Sequence, residues 1–266
     1  MTYCVGLRMK RGLVFMSDTR TNAGVDDIAQ VKKLTSWEVS GDRVITLLSA
    51  GNLATTQAVV SLLDERGKHP DDRNPSILQA PSMFQVATII GDTLREVVKT
   101  YSHQGQEAKS PFGATLILGG QIRGSDPRLF LIYPAGNFIE ASDDSPFFQS
   151  GETKYGRPIL VRGFDPEMSF ENAVKLLLVS FDSTIRANLA VDLPLDMQVY
   201  EADSFAIKQQ QRIEKDDPYF QSISEGWGDA LKMPFNRCLI SGSKANRNAV
   251  FRPLPDGPWP SSSAAR

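Results

Sequence analysis

Few residues in this chain are candidates for carrying chemistry. Its only histidines, His69 and His103, both lie in polar stretches. There is no G-x-S-x-G elbow, no phosphate-binding P-loop, no G-x-G-x-x-G behind a strand and no H-E-x-x-H. Cys4 and Cys238 lie too far apart in sequence for metal-ligand spacing and are too few for a disulfide framework. What remains is a nucleophile that needs no histidine. Thr2 stands directly behind Met1, so removing that methionine would leave a hydroxyl and a free α-amine on one residue. An α-amine, with a reference pKa of about 7.7–8.0, is partly neutral at pH 7 and can act as the base. A fixed cation nearby would lower that pKa further and favour a developing alkoxide. Such a site needs a lysine near Thr2 and a carboxylate to hold the lysine in place.

Asp18 and the lysines of "VKKL" at 31–34 meet that need. Asp18 ends the strand expected to pair with the first, close to where Thr2 must lie. Adjacent strand residues face opposite ways, so only one of Lys32 and Lys33 should reach the site. Spacing alone leaves the plainer alternative open: a solvated carboxylate and two surface lysines.

The elements that must position these residues begin at once. Tyr3, Val5, Leu7 and Met9 alternate with Thr2, Cys4, Gly6 and Arg8, the period of a half-buried strand. Lys10-Arg11-Gly12 reads as a turn and 13–16 as the returning strand. Further strands are expected at 34–40 and 43–50, joined at Gly41-Asp42. A helix at 53–65 follows, with Asn52 as its cap. A second helix at 83–101 carries Phe84, Ala87, Ile90, Leu94, Val97 and Tyr101 at helical spacing. Strands at 113–120 and 128–134 and short pieces about Phe138 and Phe148 come next, then helices at 155–161 and 170–188 and a strand at 197–201. This order lacks βαβ alternation and predicts an α+β fold, two antiparallel sheets with a pair of helices on each outer face. The expected organisation is a domain over 2–202, a helical extension over 203–252 and a Pro/Ser-rich, mobile tail over 253–266.

Composition is that of an ordinary globular protein, with 266 residues, 41% hydrophobic and 23% charged. A formal net charge of −2 gives no electrostatic footprint for nucleic acid or an anionic membrane. No apolar run approaches the roughly 18 residues of a membrane span, and the first residues lack signal-peptide regions. The expectation is a cytoplasmic protein.

The stretches "TYCVGLRMKRGLVFMSDTR", "VKKL" and "LLSAGNLATTQ" together resemble the proteasome β-subunit family, most closely its bacterial Anbu (ancestral β-subunit) branch. The likeness extends more loosely through "SGETKYGRPIL" and "SFDSTIRANLAVDLPLD", covering about residues 2–200. It implies a four-layer αββα sandwich of the N-terminal nucleophile class. It assigns Thr2 as nucleophile, Asp18 and Lys33 as its electrostatic partners, and the N–H of Gly51, in Ala50-Gly51, as oxyanion donor. Two departures stand where the family holds the terminal amine. Gln149-Ser150-Gly151-Glu152 replaces G-S-G-S, leaving Ser150 as the serine counterpart. Near Asp182-Ser183 the spacing to Asp196 favours Asn188 at the aspartate position. The resemblance implies a self-compartmentalised threonine peptidase acting on peptides or unfolded protein as a homo-oligomeric ring or stack. It implies no metal or organic cofactor, and any ATPase unfoldase would be a separate protein. The alternatives are a small-molecule or isopeptide amidase and a non-catalytic scaffold subunit. Cys4 reads as a small apolar filler, Arg20 as a pocket or local-pairing residue, and Tyr219 and Trp227 as core or intersubunit contacts.

Overall fold

The computed structural model describes residues 2–22, 28–68, 75–104 and 112–237. Met1, His69, Cys238, the side chain of His103 and the tail at 253–266 lie outside the described residues.

Strands β1 (Tyr3–Met9) and β2 (Gly12–Asp18) form an antiparallel hairpin in which Cys4 faces Ser17 and Met9 faces Gly12. Further on lie β3 (Arg20–Asn22), β4 (Ile28–Gln30), β5 (Leu34–Val39), β6 (Arg43–Gly51), β7 (Ala114–Ile122), β8 (Arg128–Ile132), β9 (Phe138–Glu140), β10 (Phe147–Gly151), β11 (Leu195–Glu201) and β12 (Ile207–Ile213). They build one sheet ordered β10-β1-β2-β11-β12, a second ordered β5-β6-β7-β8-β9, and a small β3-β4 hairpin. Helices α1 (Leu53–Lys68) and α2 (Met83–Gln104) pack on the second sheet, and α3 (Arg157–Gly163) and α4 (Phe170–Ala187) on the first.

The alternation read from the opening residues sorts them between two cores. Tyr3, Val5, Leu7 and Met9 pack with Leu177, Leu178 and Phe181 of α4. Cys4, Leu13 and Phe15 turn the other way, into the layer between the sheets, against Leu34, Leu48 and Ile117. The strand is therefore buried on both faces rather than one, because a second sheet covers what would otherwise be the wet side. Close approach of the sheets depends on Gly119, where an added Cβ would lie 2.6 Å from the Phe15 ring.

The expected strands and helices appear with small boundary shifts. One stretch differs in kind. The sequence predicts helix after 202, yet Ile207–Ile213 forms β12 against β11, and α5 begins only at Pro218. "IKQQQRI" has helix-forming glutamines and no apolar period, and pairing with the open edge of β11 overrides that weak local preference. Residues 2–224 belong to one compact unit, whereas 225–237, the remainder of α5 (Pro218–Arg237), are assigned to a second.

Candidate active site

The hairpin register places the two ends of β1 and β2 together. Cys4 pairs with Ser17, so Asp18 lies beside the first residues, and the Tyr3 N–H donates to Asp18 Oδ1 at 2.9 Å. On the opposite side of β1, Tyr3 pairs with Gly151, and the Glu152 N–H donates to the Thr2 carbonyl at 2.6 Å. Gly151 has φ +85, and a Cβ there would sit 1.9 Å from the Thr2 carbonyl oxygen. The peptide that joins Thr2 to Tyr3 is thus held from both sides, its carbonyl by the Glu152 N–H and its N–H by Asp18.

Lys33 is brought in by the β3–β4 hairpin. Arg20 pairs with Gln30, and the Val31 N–H donates to the Thr19 carbonyl at 2.8 Å, which lays residues 31–33 along the end of β2. The Ser49 N–H then holds the Lys33 carbonyl at 3.0 Å. The Lys33 Nζ donates to Asp18 Oδ1 at 2.8 Å and to the Arg20 carbonyl at 2.6 Å. This ion pair is buried, with Lys33 6% and Asp18 0% exposed.

Burial sets the electrostatics. Loss of water pushes the Asp18 carboxyl up to about 6, against the pull of the Lys33 ammonium and the Tyr3 N–H. Asp18 Oδ2 is buried and has no hydrogen-bond partner among the described residues, so only Oδ1 is compensated. The Cys4 thiol is also driven up by burial, and its Sγ lies 3.7 Å from the Ser49 carbonyl. A buried, protonated thiol is inert, consistent with a core filler.

A cavity of about 570 Å³ opens over these groups, and Thr2, Lys33 and Gly51 all line it. Gly51 closes β6 opposite Ala114 with φ +120, and a Cβ there would lie 2.6 Å from the Gly113 carbonyl, so only glycine fits. Asn52 then caps α1, its Oδ1 accepting from the Thr55 N–H at 3.1 Å. Lys32 departs from the expectation that it would face away. Regular strand begins only at Leu34, and Lys32, although exposed, lines the same cavity.

Three further residues separate by position. Arg20 pairs locally, its Nη1 2.9 Å from Asp192 Oδ2. Asp182 binds Ser224 at 2.6 Å and Arg186 at 3.1 Å. Asn188 instead donates from Nδ2 to Glu152 Oε2 at 3.0 Å, linking the two stretches that depart from the family pattern. That link was not legible in sequence: the partners are 36 residues apart, and only the Ser-Gly preceding Glu152 hinted at the place. Among the described residues no group of His, Cys, Asp and Glu could hold a metal ion.

A threonine, a buried lysine–aspartate pair and a glycine turn at one end of an αββα sandwich define the class, a proteasome-like N-terminal nucleophile fold. The sequence profile of the family described as "Proteasome subunit" matches residues 2–191, and this chain belongs to that family. Among solved structures it is similar to Anbu from Hyphomicrobium sp. strain MC1, at 50% identity and TM-score 0.81, covering 90% of this chain and 98% of that one. It is also similar to the helical assembly of the Anbu complex from Pseudomonas aeruginosa, at 42% identity and TM-score 0.85, covering 91% and 99%. A curated relative, the proteasome subunit beta of Methanocaldococcus jannaschii, is 25% identical over 216 residues, which is 80% of this chain and 88% of that protein. The kind of protein is therefore a proteasome-like peptidase of the Anbu type. No helix among the described residues is long and apolar enough to cross a membrane.

Proposed function

We propose that the chain is an N-terminal threonine peptidase whose nucleophile is Thr2, freed by removal of Met1. The observation that carries this reading is the buried Lys33–Asp18 pair, at 2.8 Å, lying beside Thr2 at the cavity that Gly51 also lines. Burying two charges is costly even when they are paired, and apolar residues of similar size would serve stability as well, so the pair fits a chemical role better than a structural one.

Thr2 Oγ attacks the carbonyl carbon of a peptide bond, and its proton passes to the Thr2 α-amine, directly or through water. The Lys33 ammonium, held by Asp18, lowers the amine's pKa and stabilises the emerging alkoxide. The Gly51 N–H donates to the tetrahedral oxyanion. Collapse breaks the carbon–nitrogen bond, the departing amine takes the proton, and an ester on Thr2 remains. Water, deprotonated by the Thr2 α-amine, then attacks that ester; the acid is released and the Thr2 hydroxyl takes the proton back.

The substrate class is peptide or unfolded protein. The reading includes a cytoplasmic homo-oligomer, ring or stack, whose assembly encloses the sites and which a separate ATPase unfoldase would feed. The helical assembly of the Pseudomonas aeruginosa relative supports the oligomer. Peptide-amide hydrolysis by the wild type, Thr2→Ala and Thr2→Ser tests the reading. Turnover should vanish in Thr2→Ala and survive, reduced, in Thr2→Ser; undiminished turnover in Thr2→Ala would refute it.

A further inference from the structure

We infer that the cavity selects an acidic side chain on the acyl side of the bond it cleaves, and that Lys32 is the residue that reads it. The inference rests on the peptidase reading above and names its substrate class.

Both lysines of "VKKL" line the cavity, and among the described residues no Asp or Glu does. Their charges are not equivalent. The Lys33 ammonium is matched by Asp18 at 2.8 Å and turned inward, with its side chain 6% exposed. Lys32 is exposed and makes no ion pair or side-chain hydrogen bond among the described residues. Among the described residues next to this segment, Asp18 is paired with Lys33 and Arg20 with Asp192. One uncompensated positive charge among the described residues therefore stands at the cavity.

The walls suit the same ligand. Thr21, Thr35 and Gln57 offer hydroxyl and amide donors, the Thr56 and Ser49 hydroxyls already donating to the Leu53 and Lys33 carbonyls, and Val31, Leu53 and Val60 supply apolar surface for methylene groups. A carboxylate would find donors and a cation, and electrostatic complementarity of this kind discriminates partners more than it tightens binding. A basic side chain would meet an unpaired ammonium and, among the described residues, no carboxylate. A large apolar one would cover several hydroxyls without bonding them, which costs free energy at each. A peptide with glutamate at that position is the occupant the cavity favours.

The test uses full-length Thr2→Ala protein and three fluorescent peptides that differ only in carrying Glu, Gln or Lys at the residue whose carbonyl would be attacked. Fluorescence anisotropy should show Glu bound roughly fivefold tighter than its neutral isostere Gln, as one solvent-screened ion pair provides. The preference should shrink as salt is raised. Lys32→Gln should abolish the Glu–Gln difference, and Lys32→Glu should move the preference to Lys. Equal affinities for Glu and Gln, a preference that survives Lys32→Gln, or no binding of any peptide would each overturn the inference. In parallel, wild-type protein is treated with threonine-directed inhibitors carrying Glu or Leu at that position. Absence of any adduct refutes the peptidase reading, whatever the peptides do. Adducts formed alongside flat peptide affinities refute only the selection of acidic side chains.

Discussion

Acidification should change folding stability and Thr2 reactivity in opposite directions, and Asp18 is the reason. Its carboxyl is pushed from an ordinary 3.8 up to about 6 because burial removes water from it. A folded pKa above the unfolded one means that the native state holds the proton more tightly. The stabilisation from this group is thus fully present below pH about 4 and is lost as pH rises through about 6. The difference corresponds to about 3 kcal/mol. Reactivity runs the other way, since only the ionised carboxylate charge-matches Lys33. The rate of covalent labelling at Thr2 should therefore rise between pH 5 and 7, with a limb near 6. The assay pairs urea unfolding at pH 4.5 and 7.5 with labelling rates across that range, in wild type and in Asp18→Asn. The variant cannot titrate there, so it should lose the part of this pH dependence that falls between those two pH values, about 2 kcal/mol, lose the limb near 6, and label far more slowly at every pH. Identical pH dependence of stability in the two proteins, or full labelling of Asp18→Asn, would remove Asp18 from both roles.

Lys33→Ala should abolish labelling of Thr2 while leaving an intact fold by circular dichroism, because it removes the cation and leaves Asp18 free to take a proton; labelling at the wild-type rate would remove Lys33 from the mechanism. Gly151→Ala should move Thr2, since the new Cβ would fall 1.9 Å from the Thr2 carbonyl oxygen at a backbone with φ +85. Its labelling rate should drop steeply, with a stability loss of about 1–3 kcal/mol from backbone strain. Phe181→Ala empties the fully buried site whose ring centroid lies 4.5 Å from that of Tyr3, and should cost about 3–5 kcal/mol by chemical denaturation.

The sandwich was legible because its main elements carry strong local patterns. The period-2 run from Tyr3 to Met9, the Asn52 cap and the helical stripe of Val174, Leu177, Leu178, Phe181 and Ile185 each state a conformation without help from the rest of the chain. β12 was not legible, since "IKQQQRI" has no apolar period and is a strand only because β11 offers it an edge. The β3–β4 hairpin, two runs of three residues, is too short to carry a pattern. Asp18 could be placed from the hairpin alone. The choice between Lys32 and Lys33 could not be made from spacing, because it depends on the Thr19–Val31 and Lys33–Ser49 backbone bonds that thread the segment between the two sheets. The Glu152–Asn188 contact is likewise tertiary, joining the end of β10 to the end of α4.

In the proposed reaction Thr2 acts through its own amine. An amide nitrogen is not a useful base, so a chain that keeps Met1 should fold and assemble yet stay inert. Intact and peptide-level mass spectrometry of protein treated with a threonine-directed covalent inhibitor tests this most directly. A single adduct on Thr2, found only in chains that lack Met1, is expected. A Thr2 adduct on chains that still carry Met1, or an adduct at another residue while Thr2 stays unmodified, would contradict it.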